Sequence, residues 1–131
     1  MTRTTETTTS RGESTHHQAL GRYGETLAER HLTALGMVLL DRNWRCPDGE
    51  ADLVLRDGST LVVCEVKTRS NHDHGSPHEA VTPEKVERMG RVAQAWLTTH
   101  EVTPQGVRLD LVAVLRPRRG ASVIEHVRGL S

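Results

Sequence analysis

The chain has 131 residues, enough for one small domain whose core needs neither a disulfide nor a structural metal. Its 17 basic and 17 acidic residues cancel, which disfavours a strongly basic nucleic-acid-binding surface. Its aromatic residues are Tyr23, Trp44 and Trp96, too few for a surface on which bases stack. No apolar run reaches the ~20 residues that span a bilayer, and the threonine-rich start lacks the apolar segment of a secretory signal. Cys46 and Cys64 match no metal or redox spacing, so we expect a cytoplasmic protein with two reduced thiols.

The charged residues are unevenly distributed along the chain. Residues 41–90 carry a balance of −3 and residues 91–131 a balance of +3. This pattern suits a metal site beside a phosphate-binding surface, and it is also compatible with ordinary scatter. Fifteen of the 17 basic residues are arginine, which singles out Lys67 and Lys85 as positions where a compact point charge is needed.

The predicted elements form one domain after a short tail. Residues 1–17 have low complexity and predict a disordered tail, which leaves residues 18–131 as the domain. Helical periodicity predicts a first helix over residues 18–35, closed by Gly36, and a second from Thr82-Pro83-Glu84 to about His100. Strands are predicted over residues 37–44, 50–56, 60–67, 107–115 and 121–127. The order α-β-β-β-α-β-β predicts an α/β (α+β) core with one mixed sheet and a helix on each face.

The second and third strands form a predicted hairpin that gathers acidic residues. Asp57-Gly58 is typical of a two-residue type I′ turn. With that turn, Asp52 lies opposite Val63 and Glu50 lies opposite Glu65. Asp52 and Glu65 then become diagonal neighbours on one face, close enough to share one cation.

Two acids facing each other across a half-buried hairpin repel, and a divalent cation would relieve that repulsion. Carboxylates without nearby Cys or His favour Mg²⁺ or Mn²⁺ over zinc. Lys67, two residues beyond Glu65 on the same face, could position an attacking water and stabilise charge on a phosphate. The alternative is a solvent-facing hairpin on which Glu65 and Lys67 have no function.

An ordered set of motifs resembles a known family. The acid at Asp52, followed by Glu65-Val66-Lys67, resembles the PD-(D/E)XK nuclease superfamily. The whole domain is similar to the YraN-like family of bacterial proteins, related to archaeal Holliday-junction resolvases. The motifs that carry this similarity, in chain order, are Gly21-Arg22-Tyr23-Gly24-Glu25, Arg42-Asn43-Trp44-Arg45, Gly49-Glu50-Ala51-Asp52-Leu53, Glu65-Val66-Lys67-Thr68-Arg69, Pro83-Glu84-Lys85 with Arg88, and Arg108-Leu109-Asp110.

The resemblance implies roles for individual residues and a restriction-endonuclease-like fold. Asp52, Glu65 and the Val66 carbonyl would bind Mg²⁺ or Mn²⁺, Lys67 would orient the nucleophilic water, and Glu25 would complete the acidic cluster from the first helix. The residues expected to contact phosphates are Lys85, Arg69, Arg118 and Arg119; Arg118 and Arg119 could equally form a solvated turn.

Other polar residues have structural interpretations. Asp110 is expected to pair with Arg108 rather than take part in catalysis, and Cys64 to be a small buried hydrophobe. The loop histidines His72, His74 and His78 fit a mobile loop better than a metal site.

These residues lead to one main hypothesis and two alternatives. The main hypothesis is a Mg²⁺-dependent endonuclease acting on DNA, with branched DNA as the structure-specific substrate and no membrane partner. Neutral overall charge argues against tight binding by a monomer, and a homodimer that pools two basic ends would answer this in part. The alternatives are a catalytically silent module that keeps the fold and binds nucleic acid or protein, and a structural metal-binding domain, which would not need Lys67.

Overall fold

The computed structural model describes residues 11–70 and 81–130, and the side chains of residues 18–70 and 81–130. The elements are α1 (Arg11–Ala34), β1 (Val38–Cys46), β2 (Gly49–Asp57), β3 (Thr60–Arg69), α2 (Pro83–His100), β4 (Gly106–Leu115) and β5 (Val123–Val127). The predicted order of helices and strands is confirmed. None of the helices described in these ranges is long and apolar enough to cross a membrane.

The five strands form one mixed sheet in the order β1-β2-β3-β4-β5. Neighbouring strands are antiparallel except β3 and β4, which are parallel and joined through α2. Each face of the sheet has its own core. Helix α1 buries Ala28 and Leu32 against one face, and α2 buries Val92 and Trp96 against the other. This is the predicted α+β restriction-endonuclease-like core.

Local capping defines the helix ends that the sequence predicted. Gly36 takes a φ of 101°, and Met37 and Gly36 donate N–H bonds of 3.2 and 3.0 Å to the carbonyls of Leu32 and Thr33. These two bonds are the Schellman pattern that closes α1. At the start of α2, the Thr82 hydroxyl accepts the Lys85 N–H at 3.1 Å, as expected of an N-cap.

The first helix starts earlier than predicted. It begins at Arg11 rather than at residue 18, because a helix already nucleated gains one hydrogen bond for each further residue even where no apolar face continues. The tail predicted for residues 1–17 therefore stays a prediction for residues 1–10, which lie outside the described residues. His72, His74 and His78 also lie outside them.

The pairing of β2 with β3 corrects the predicted register. Asp57 pairs with Thr60, so the two turn residues are Gly58 and Ser59 rather than Asp57 and Gly58. Only Gly58 of these two has a positive φ, of 63°, which is the pattern of a type II′ turn with glycine first. The register moves by two positions, which keeps every side chain on its predicted face but changes its partner.

Under the corrected register, Asp52 lies at the level of Glu65 rather than of Val63. Glu50, predicted opposite Glu65, lies at the level of Lys67 instead. These levels extend the register beyond Leu53–Cys64, the last pair of the ladder, where the strands separate.

Gly24 lets α1 approach β3 closely. A Cβ atom built at Gly24 would overlap the Thr68 hydroxyl oxygen and lie 3.0 Å from the Thr68 Cβ. Gly24 is buried, and it immediately precedes Glu25. A hydrogen in place of a side chain is thus what brings the Glu25 backbone next to the end of β3.

We predict that Gly24→Ala lowers the melting temperature although alanine is the better helix former. Inserting a methyl group into this contact should cost about 1–3 kcal/mol, which outweighs a helix-propensity gain of up to about 1 kcal/mol. Gly21→Ala is the matched control, since nothing lies within 4 Å of its Cβ position, and it should raise the melting temperature. Equal shifts for the two variants, measured by thermal melting, would show that α1 does not press on Thr68.

Candidate functional site

The candidate site is a cleft that opens where β2 and β3 separate. Their ladder ends at the pair Leu53–Cys64, and beyond it the Asp52 carboxylate accepts the Val66 N–H at 2.8 Å in place of a main-chain carbonyl. The cleft has a volume of about 570 Å³. Its lining residues come from β2, β3 and α2: Gly49, Glu50, Asp52, Glu65, Val66, Lys67, Lys85, Arg88, Met89 and Val92.

Asp52 is held in an environment that disfavours its charge. Burial raises the pKa of Asp52 to about 6, and the negative charges of Glu25, Glu65 and Glu50 add to this, although the hydrogen bond from Val66 acts in the opposite direction. A carboxylate that is both desolvated and surrounded by like charge is the kind of group that a bound cation stabilises.

Glu65 is neutralised by two lysines on a single oxygen. Its Oε2 lies 2.5 Å from Nζ of Lys85 and 3.5 Å from Nζ of Lys67. All three side chains are half-buried, with Glu65 18% exposed. Both lysines of the chain therefore point at the same carboxylate, and the residue expected to contact a phosphate, Lys85, has an acidic partner here.

Glu25 lies on α1, on the other face of the sheet, and is oriented by the first strand. The Asn43 amide donates to its Oε2 at 3.2 Å, and Nε of Arg42 lies 3.7 Å from its Oε1. Asn43 has a φ of 54°, a left-handed conformation that asparagine tolerates better than most residues. Glu25 is not among the residues that line the cleft, but its charge acts on Asp52.

The oxygen donors suit a hard divalent cation. Asp52 and Glu65 supply two carboxylates, and the Val66 carbonyl leaves β3 on the same side as the N–H that Asp52 binds. Within residues 18–70 and 81–130, no group of three or more His, Cys, Asp and Glu side chains is placed to hold a metal ion. A cation here would depend on two carboxylates, a main-chain carbonyl and water, the donor types that Mg²⁺ and Mn²⁺ prefer.

The other residues predicted to contact phosphates, Arg69, Arg118 and Arg119, lie at or beyond the ends of β3 and β4, the strand ends near which Lys67 also lies. Arg69 pairs with Leu115 across the parallel strands, and its carbonyl accepts the Arg116 N–H at 2.8 Å. Arg118 and Arg119 follow Arg116 in the chain and are exposed. The guanidinium of Arg116 lies 4.7 Å from the centre of the Tyr23 ring, which places this side chain on the α1 face of the sheet, opposite the cleft.

Asp110 belongs to a separate, fully paired network. It is completely buried, and it accepts two hydrogen bonds from Arg108, one from Gly129 and one shared with His126. Burial by itself raises the pKa of Asp110, but these hydrogen bonds outweigh it and hold the pKa below its ordinary value. The predicted pairing with Arg108 is confirmed, and so is the burial of Cys64.

Three contributors to the site were not among the predicted site residues. Arg88 and Glu50 line the cleft, and Asn43 orients Glu25. Arg88 lies three residues after Lys85, so helical spacing could have placed it on the same face of α2. Asn43 belongs to one of the motifs of the family resemblance, but its contact with Glu25 could not be predicted, because Asn43 takes a positive φ inside a strand.

Replacing Asp52 with asparagine should stabilise the metal-free protein in a pH-dependent way. Because the pKa of Asp52 is about 6 in the folded chain and near 3.8 when unfolded, the folded state binds the proton more tightly. The free energy of unfolding of the wild type should therefore fall as pH rises from about 4 to about 6. Asparagine has no charge to lose and can still accept the Val66 N–H.

The measurement is denaturant unfolding of both proteins in EDTA from pH 4 to pH 8. The advantage of Asp52→Asn should grow with pH and reach at most about 3 kcal/mol above pH 7. A difference that stays constant over this range would contradict the raised pKa.

Comparison with known proteins places the whole domain in one family. The family model described as "Uncharacterised protein family UPF0102" matches residues 24–114. A UPF0102 protein of Nocardioides sp. is 60% identical over 122 residues, covering 93% of this chain and 98% of the relative. One from Streptomyces coelicolor is 58% identical over 115 residues, covering 86% of this chain and 88% of the relative. The chain therefore belongs to the UPF0102 (YraN-like) family.

Proposed function

We propose that this chain is a Mg²⁺- or Mn²⁺-dependent endonuclease that hydrolyses phosphodiester bonds in DNA. The observation that carries the proposal is the convergence of Asp52, Glu65 and Lys67 on one cleft, at the point where two strands of the sheet separate. Acidic ligands beside a lysine are the groups that metal-assisted hydrolysis of a phosphodiester requires.

Four side chains and one main-chain carbonyl have roles in this proposal. Asp52, Glu65 and the Val66 carbonyl would hold the cation, and Glu25 would add negative charge from α1. When bound, the cation supplies Lewis-acid polarisation of the phosphate and increases the acidity of a bound water. Lys67 would hold the attacking water and stabilise the charge that develops on the phosphate oxygens.

The substrate would bind along a basic edge, defined here as the arginines at the end of β3 and in the segment after β4. Arg69 follows Lys67 by two residues on β3, Arg118 and Arg119 are exposed in the segment after β4, and all three would contact phosphates. We propose branched DNA as the substrate, bound by a homodimer, because two basic edges would supply the positive charge that one chain of zero net charge lacks.

A second candidate is the catalytically silent module that binds nucleic acid or protein. The observation in its favour is that both lysines already neutralise Glu65, so the site is electrostatically satisfied at that residue without a cation. The same observation does not account for Asp52, whose charge has only the Val66 N–H as a hydrogen-bond partner among the described residues. Cleavage assays distinguish the two candidates.

Lys67→Ala should abolish cleavage without weakening cation binding, because an ammonium is not a metal ligand. The assay is a panel of branched and linear DNA substrates with Mg²⁺ and with Mn²⁺. Arg56→Ala is the matched control, since Arg56 lies on the same hairpin outside the cleft and should keep the wild-type rate. Wild-type cleavage by Lys67→Ala would refute the proposed mechanism, and no cleavage by any protein would favour the silent module.

The salt dependence of DNA binding tests the basic edge. Each phosphate contact should contribute about 0.9 to the slope of log affinity against log salt concentration. The double variant Arg118→Ala with Arg119→Ala should flatten that slope by up to about two units. An unchanged slope in fluorescence anisotropy titrations would assign both arginines to solvent.

A further inference from the structure

Lys85 occupies an unfavourable position for its own helix. It is the third residue of α2, where its N–H donates to the N-cap Thr82. The first turn of a helix carries partial positive charge, and the position three residues after a threonine cap commonly holds Glu or Gln, which returns a hydrogen bond to the cap. An ammonium there opposes the helix dipole, so helix stability does not explain this lysine.

The ion pair with Glu65 compensates for that position. At 2.5 Å it is shorter than the 3.5 Å separation of Lys67 from the same oxygen, and the two partners are only 20% and 18% exposed. Oε2 of Glu65 therefore already has a positively charged partner, the Lys85 ammonium. Any divalent cation that binds Glu65 through this oxygen must compete with the Lys85 ammonium for the same lone pairs.

The flexibility of a lysine side chain allows its ammonium to move away from an ion-pair partner. Its charge sits at the end of a flexible four-carbon stem, whereas a guanidinium is a planar fork that favours fixed bidentate contacts. Lys85 lines the cleft, so its ammonium can turn from Glu65 toward a ligand in the cleft without unfolding α2. Fifteen of the 17 basic residues in the chain are arginine, and Lys85 is one of the two lysines.

We propose that Lys85 is an internal counter-ion of Glu65 that exchanges with the divalent cation and, once displaced, binds a backbone phosphate of the nucleic acid. The inference rests on the proposed function of the cleft and adds a coupling to it. Without the cation, Lys85 neutralises Glu65 and is withheld from the phosphate. With the cation, the same ammonium becomes available, so cation binding strengthens the grip on the substrate.

Isothermal titration calorimetry of Mn²⁺ without DNA tests the competition. Lys85→Met keeps the length of the side chain and removes the charge, so it should bind Mn²⁺ at least about fivefold more tightly than the wild type, the factor that an ion pair of about 1 kcal/mol represents. Arg88→Met is the matched control. It removes a positive charge from the same helix face and cleft, but Arg88 forms no ion pair with Glu65, so its effect should stay below about twofold.

The outcomes separate this inference from the proposed function. Equal affinities of wild type and Lys85→Met, or equal gains in Lys85→Met and Arg88→Met, overturn the exchange and leave the metal site standing. No Mn²⁺ binding by any of the three proteins overturns the proposed function and the exchange together.

The salt dependence of binding to a short linear duplex tests the phosphate contact. Lys85→Met should lower the slope of log affinity against log salt by about one unit with Mn²⁺ and leave it unchanged in EDTA. A loss of slope that is the same under both conditions would place Lys85 on the phosphate at all times, and no loss under either would remove it from the nucleic acid. Either result contradicts the exchange.

Discussion

The hydrogen bond from the Val66 amide to the Asp52 carboxylate is the contact on which the candidate site depends. Where the β2–β3 ladder ends, a partly buried N–H needs another acceptor, and Asp52 supplies one at 2.8 Å. This keeps Val66 satisfied while the two strands diverge, and it holds the carboxylate in the opening that they leave. Glu65 and Lys67, which precede and follow Val66 in β3, then both line the cleft, and α2 supplies the rest of its wall.

Two aspartates, one buried and one partly buried, lie in very different electrostatic environments. Asp110 accepts hydrogen bonds from Arg108, Gly129 and His126, and its pKa is held below the ordinary value. Asp52 is desolvated, has one main-chain donor and has three acidic neighbours, and its pKa rises to about 6. A fully satisfied carboxylate stabilises the core in which it lies, whereas an unsatisfied one is retained at a cost to stability. Such a cost is typical of functional sites.

Much of this arrangement could be predicted from the sequence, because it follows from local patterns. Alternation along the two strands placed Asp52, Glu65 and Lys67 on one face, and the Thr82-Pro83-Glu84 segment marked the start of α2. The register could not be obtained in this way, since Asp57-Gly58 and Gly58-Ser59 both make acceptable two-residue turns and only the packing of the sheet selects between them. The ion pair between Lys85 and Glu65 joins a helix to a strand, so no periodicity predicts it.

Calorimetric titration of Mn²⁺ into the wild type and into Glu65→Gln tests most directly whether Asp52 and Glu65 together bind a divalent cation. The substitution keeps the shape of the side chain and removes one of the two anionic ligands. We expect saturable binding of one ion per chain in the wild type and an affinity at least about tenfold weaker in Glu65→Gln. Superimposable isotherms for the two proteins, or no binding by the wild type, would contradict joint binding of the cation.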